Sequence, residues 1–137
     1  MGRETGYVTV AVLALCAASC GGGGDDHGGE GPTSGATCPQ GSALTYESFG
    51  RAFMGQYCTS CHSSALPASA RQGAPSDHDF DTIEGIRALE AEYPGHIDET
   101  AAAGEAGINA SMPPAGSPKP TAEERRQLGE WLACGMP

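Results

Sequence analysis

Two cysteines and a histidine stand together in residues 57–64, which read YCTSCHSS. Cys58 and Cys61 are separated by two residues, and His62 follows directly. Side chains of these types at this spacing are typical of sites that bind a metal, exchange a disulfide or hold a prosthetic group. The motif constrains the fold more than any other part of the chain, because the surrounding residues have to complete one of these three kinds of site.

The composition indicates a domain whose apolar core is too small to stabilise the fold by itself. The chain has 137 residues, of which 39% are apolar and 21 are glycine. Small domains with so little apolar surface usually depend on disulfides, a metal or a cofactor, and the six cysteines fit this requirement. The formal net charge of -10 argues against nucleic acid as a partner, because phosphate contacts need clustered Lys and Arg. It is compatible with a partner protein whose docking surface is basic.

The N-terminus has the pattern of an export signal. Residues 7–19, YVTVAVLALCAAS, carry no charge and are too few to cross a bilayer as a helix, so we predict a signal peptide over residues 1–19. The small residues before Cys20 resemble a bacterial lipoprotein signal, which implies lipidation of Cys20 and a place in the cell envelope, facing the periplasm or the exterior. Soluble release and an uncleaved anchor are the alternatives.

A Gly-rich segment follows the predicted lipidation site. Residues 21–36, GGGGDDHGGEGPTSGA, are acidic and nearly free of apolar side chains. Such a segment cannot bury enough surface to offset the entropy lost on ordering. We therefore predict a lipid-anchored flexible linker over residues 20–41 and one folded domain over residues 42–137.

The folded domain shows helical patterns and no strand pattern, which predicts an all-α fold of three main helices and long loops. Thr45 is the expected N-cap of the first helix, which ends near residue 57. Capping boxes at Asp81–Glu84 and Thr121–Glu124 predict the starts of the second and third helices. Residues 96–106 suggest a short, weak helix. The stretches 63–80 and 107–120 are expected to be irregular. The first helix carries an aromatic stripe: Tyr46, Phe49, Phe53 and Tyr57.

The remaining cysteines suggest a disulfide. If the signal peptide is removed and Cys20 carries lipid, four cysteines are left, two of them in the motif. The other two are Cys38, near the start of the domain, and Cys134, in its last helix. Because disulfides are permitted outside the cytoplasm, we predict a Cys38–Cys134 bridge, with two free thiols as the alternative.

Three interpretations of the motif compete. A structural zinc site normally needs four ligands, often as two spaced pairs, and no second pair matches Cys58 and Cys61. A thioredoxin-like dithiol belongs at a helix start that follows a strand, whereas this motif falls at a helix end. The third interpretation is covalent haem, in which both thiols form thioethers with the haem vinyl groups and His62 binds the iron.

With this motif the chain resembles the class I c-type cytochromes. The resemblance covers about residues 42–137 and rests on the aromatic helix before CTSCH, a downstream Met-Pro loop and the final helix EERRQLGEWLACG. It implies a small cytochrome c-like fold around one covalently bound haem c, and electron transfer to redox protein partners. It implies no enzyme activity of the chain alone. The long loop 63–80 and the Cys38–Cys134 pair depart from the family pattern.

The resemblance also implies a second iron ligand. Met112, in NASMPPAG, lies in a proline-rich loop before the last helix, where the family supplies its distal methionine. A thioether favours ferrous iron and raises the reduction potential. His78 is the rival ligand, while His96, Met54 and Met136 are interpreted as structural. Two alternative functions stay open: a haem-based ligand-binding or sensing lipoprotein, and a haem subunit of a larger oxidoreductase complex. Three basic residues are candidate partners of the haem propionates: Arg51, Arg71 and Lys119.

Overall fold

The computed structural model of the chain describes Gly2, residues 34–102 and residues 112–137. Within this part the chain forms helices joined by turns and loops, and no strand is found there. The described part is therefore all-α, as predicted. The predicted signal peptide, the lipidation site Cys20 and most of the predicted linker lie outside it. No helix in these ranges is both long and apolar enough to cross a bilayer.

The first helical segment begins and ends where the sequence predicts. Thr45 is its N-cap, and a reciprocal pair of hydrogen bonds with Ser48 forms a capping box. The segment starts as a π-helical turn, Tyr46–Gly50, and continues as helix α1, Arg51–Tyr57. Cys58 is the C-cap of α1, so the cysteine motif starts directly after the last helical residue.

Helix α2 covers Ile83–Glu92 and corrects one prediction. Its N-cap is Thr82, whose Oγ1 accepts a hydrogen bond from the Gly85 amide at 3.1 Å, and not Asp81. Both residue types are good N-caps, so the pattern alone did not separate two neighbours. The Asp81 carboxylate instead accepts a hydrogen bond from the Ser64 amide at 2.6 Å. It thereby ties the loop after the motif to the start of α2.

The other elements follow the expected order. The stretch 63–80 is irregular apart from a short 3-10 turn, Ala68–Ala70. A π-helical turn, Asp98–Ala102, occupies part of the weak helix expected after α2. Helix α3 covers Ala122–Ala133 and begins with the predicted capping box, in which the side chains of Thr121 and Glu124 exchange hydrogen bonds with each other's backbone amides.

The first helical segment packs against α3 through Trp131. This indole is fully buried, and its ring centroid lies 6.5 Å from that of Tyr46 and 6.2 Å from that of Phe49. Gly50 lies directly on the indole, because a Cβ atom at Gly50 would stand 2.6 Å from Trp131 Cζ2. The two helical segments can approach this closely only because residue 50 has no side chain.

The N-terminal strap, residues 34–44, lies on the surface of the domain. Ser34 donates from its amide and its hydroxyl to the Asp98 carboxylate, at 2.7 and 2.5 Å. A disulfide joins Cys38 to Cys134, the pair that the sequence predicts, with the two Cα atoms 4.7 Å apart. These bonds attach the last residues of the predicted linker to the Asp98–Ala102 turn and to the end of α3.

A glycine-to-alanine pair in the first helical segment tests the packing on Trp131. Gly50→Ala is expected to lower the free energy of unfolding by about 1–2 kcal/mol, because overpacking against a rigid indole outweighs the gain in helix propensity. Gly55→Ala is the matched control on the same helix, since a Cβ atom there meets nothing within 4 Å. The control is expected to gain roughly 0.5–1 kcal/mol. Urea denaturation followed by circular dichroism measures both changes, and Gly50→Ala being as stable as Gly55→Ala would contradict this packing.

Candidate functional site

A cavity of 340 Å³ opens at the C-terminal end of α1. Cys58, Cys61, His62 and Met112 all border it, so the structure brings the motif together with the methionine that the resemblance assigns to the iron. A few hundred cubic ångströms is the usual size of a small-molecule or cofactor site. Much of the remaining wall is apolar: Phe53, Tyr57, Phe80, Ile97, Ala101 and Pro113.

The two motif cysteines are free thiols at this wall. Cys61 is buried and Cys58 is half-buried. The Cys58 carbonyl accepts hydrogen bonds from the amides of Cys61 and His62, at 3.1 and 2.9 Å, which winds the motif into a tight turn. Burial raises the pKa of the Cys58 thiol to about 12, although the charge of Arg125 acts in the opposite direction. The Cys58 side chain is therefore a protonated thiol at neutral pH.

His62 is fixed in one orientation. Its Nδ1 lies 3.1 Å from the backbone carbonyl oxygen of His78, and its ring stacks on Phe80 with the centroids 4.7 Å apart. A carbonyl oxygen only accepts hydrogen bonds, so Nδ1 carries the proton. Nε2 is then unprotonated, and its lone pair can bind a metal ion. Burial lowers the pKa of His62, against the opposing effect of the His78 hydrogen bond. The imidazole is therefore neutral at neutral pH, the form that binds metals.

Arg71 organises the loop that holds His62. Its buried guanidinium donates to the carbonyl oxygens of Ser63 and His78, at 2.6 and 3.0 Å, and to the Asp79 carboxylate at 2.6 Å. The same His78 carbonyl accepts from His62. Arg71 thus positions the group that orients the imidazole. The sequence suggested only a propionate contact for Arg71, and the preceding loop offers no periodic pattern that would reveal this role.

Met112 borders the cavity from the loop before α3. The residue is 38% exposed, and its carbonyl oxygen accepts a hydrogen bond from Arg125 of α3 at 3.1 Å. The next residue, Pro113, is buried, and its carbonyl oxygen accepts a hydrogen bond from Lys119. Arg125 and Lys119 therefore fix the backbone at Met112 and Pro113.

The rival ligand His78 is not among the residues that line the cavity. Its Nδ1 lies 2.9 Å from the Asp77 carboxylate, and its ring packs edge-on against His96 with the centroids 5.0 Å apart. His96, interpreted as structural from the sequence, does line the cavity. The proline and glycine before His96 did not indicate that His96 lies at the cavity, because its position depends on the path of the turn after α2.

The other candidates from the sequence lie elsewhere. Met54 is buried in the core, and Met136 packs against the core from the end of the chain. Arg51 forms an exposed ion pair with Glu47 at 2.5 Å. Of the three basic residues suggested as propionate partners, Arg71 alone lines the cavity.

A zinc centre has no complete ligand set in the part of the chain that the structure covers. No group of three or more His, Cys, Asp or Glu side chains there is arranged to hold a metal ion. Cys58, Cys61 and His62 all belong to one turn, and a zinc site would need a further ligand from another element. Comparison with known proteins gives no family, since no protein-family model, curated protein or solved structure matches the chain.

Proposed function

We propose that the chain is a mono-haem c-type cytochrome with a cytochrome c-like fold, tethered to a membrane through Cys20, that carries single electrons between redox proteins. The observation that supports this most is that Cys58, Cys61, His62 and Met112 border one largely apolar cavity. The acidic charge of the chain supports redox partners with basic docking surfaces in the cell envelope.

The residues at the cavity fit a haem c. Cys58 and Cys61 would hold it through thioethers, with His62 Nε2 and Met112 Sδ as the iron ligands. The bound haem supplies a one-electron couple at its iron. The protein orients His62 through the His78 carbonyl, and its apolar walls limit the access of water, which raises the reduction potential. Because His62 and Met112 would both bind the iron, no ligand position would be left for a substrate, and the chain would act as a carrier and not as an enzyme by itself.

One observation favours a second candidate, a haem-based sensor of small ligands. Met112 is 38% exposed, although the neighbouring Pro113 is buried. A ligand at the surface of the domain can be displaced by an added molecule more readily than one enclosed by the core. Carbon monoxide separates the two functions, because fast, tight binding to the reduced protein at neutral pH indicates a sensor and lack of binding indicates a carrier.

The experiment that tests the proposal is a redox-titrated optical spectrum of the full chain, produced in a host that attaches haem c. We expect a low-spin c-type spectrum in the reduced state. In the oxidised state we expect the weak sulfur-to-iron band at the red edge of the visible range. High-spin iron at neutral pH would rule out Met112 as a ligand, and a protein without covalent haem would overturn the proposal.

Met112→Ala is expected to change the oxidised spectrum and the reduction potential. Loss of the thioether removes the sulfur-to-iron band, opens the iron to carbon monoxide and lowers the potential by on the order of 100 mV, because the soft ligand favours ferrous iron. Met136→Ala is the matched control, since Met136 lies outside the cavity. An unchanged potential in Met112→Ala would contradict the assignment.

A further inference from the structure

Arg125 is a buried arginine to which the proposed function assigns no role. It is 6% exposed, on the inner face of α3. Its Nη1 donates to the carbonyl oxygen of Ala101 at 2.5 Å, and its Nη2 donates to that of Met112 at 3.1 Å. Among the described residues, no carboxylate forms an ion pair with it. Burying a guanidinium is costly, and its two bonds to carbonyl oxygens offset part of that cost.

The two acceptors identify what Arg125 holds in place. Ala101, in the Asp98–Ala102 turn, and Met112 both border the cavity. They belong to separate parts of the wall, and the fork of one guanidinium spans both. Lysine has no such fork, because its ammonium group is a compact point charge on a flexible stem. Arg125 therefore ties the wall of the cavity and the methionine backbone to the rigid helix α3.

The charge of Arg125 lies beside the proposed haem site. Its guanidinium donates to the carbonyl oxygen of Met112, the proposed iron ligand, and to that of Ala101, and both residues line the cavity. Ferric haem carries one more positive charge than ferrous haem. A nearby buried cation therefore disfavours the ferric state and raises the reduction potential.

We infer that Arg125 is a positioning residue for the distal iron ligand: its guanidinium holds the Met112 backbone against the Ala101 wall, keeps the thioether on the iron and raises the reduction potential. This inference rests on the proposed function. Under this inference, a residue of α3 determines how firmly Met112 binds the iron. Met112 is too exposed for the packing of its own side chain to hold it there alone.

Arg125→Gln in the full holoprotein tests the inference, with imidazole as the probe that competes with Met112 for ferric iron. Loss of hydrogen bonds from a charged donor is expected to strengthen imidazole binding about tenfold or more, to weaken the sulfur-to-iron band and to lower the potential. Arg126→Gln is the matched control, since Arg126 is exposed and pairs with Glu123 and Glu130. It removes the same charge and is expected to change imidazole binding less than about twofold.

Arg125→Lys separates geometry from charge and serves where Arg125→Gln yields no holoprotein. It keeps the cation and loses the fork, so the potential should stay near that of the wild type while imidazole binding strengthens to an intermediate degree. Equal imidazole affinities in the Arg125 and Arg126 variants would overturn this inference alone, provided that the wild type shows covalent haem and the sulfur-to-iron band. A wild type without covalent haem would overturn the proposed function as well.

Discussion

Cys58→Ser combined with Cys61→Ser is expected to give a protein without any haem that survives denaturation. The thioethers are the only covalent links that the proposed attachment provides, and a serine hydroxyl is a far weaker nucleophile than a thiol toward a vinyl group. Each single substitution should leave haem attached through one thioether. Haem staining after denaturing electrophoresis, together with extraction into acidified organic solvent, measures the retained fraction.

The chain offers a matched control for this loss. Cys38→Ser combined with Cys134→Ser also removes two cysteines, but those residues form a disulfide away from the cavity. This control should keep its covalent haem. Denaturation-resistant haem in the Cys58 and Cys61 double variant would contradict the proposed attachment. Stoichiometric zinc in the wild type that is lost from the same variant would favour a metal site instead.

The helices were largely predictable from the sequence because their signals are local. A capping box at Thr121 and Glu124 and an aromatic stripe that leads into Cys58 each depend on residues within one or two turns of each other. The second helix shows the limit of such signals. Asp81 and Thr82 are adjacent, and both residue types are suited to N-capping. Thr82 is the N-cap, because the Asp81 carboxylate accepts a hydrogen bond from the Ser64 amide in the loop before the helix.

The supports of the candidate site were not predictable, because they are long-range bonds to backbone carbonyls. Arg71 reaches the carbonyl of His78, and Arg125 reaches those of Ala101 and Met112. Every residue has a carbonyl, so no side-chain pattern marks the acceptor. The motif residues could be identified because their spacing is itself the signal. The residues that orient them become visible only once the loops have a fixed path.

Removal of the disulfide is expected to have the largest effect on stability. The bridge closes a loop of 96 residues between Cys38 and Cys134. The chain-entropy model assigns roughly 4–5 kcal/mol to a closure of this length, which is a large part of the stability of a small domain. Cys38→Ser with Cys134→Ser should therefore lower the free energy of unfolding by about this amount in urea, as measured by circular dichroism.

A thiol reductant distinguishes the disulfide from the proposed thioether links to haem, because it cleaves a disulfide and leaves a thioether intact. With both proteins held in the ferrous state, excess dithiothreitol should lower the wild type to the stability of the variant and leave the variant unchanged. Hydrogen bonds from Ser34 to Asp98 and from Ser42 to Glu130 also attach the N-terminal strap to the domain. A loss below about 1 kcal/mol would mean that the unfolded chain is already constrained without the bridge, which would contradict the entropic origin of its stabilisation.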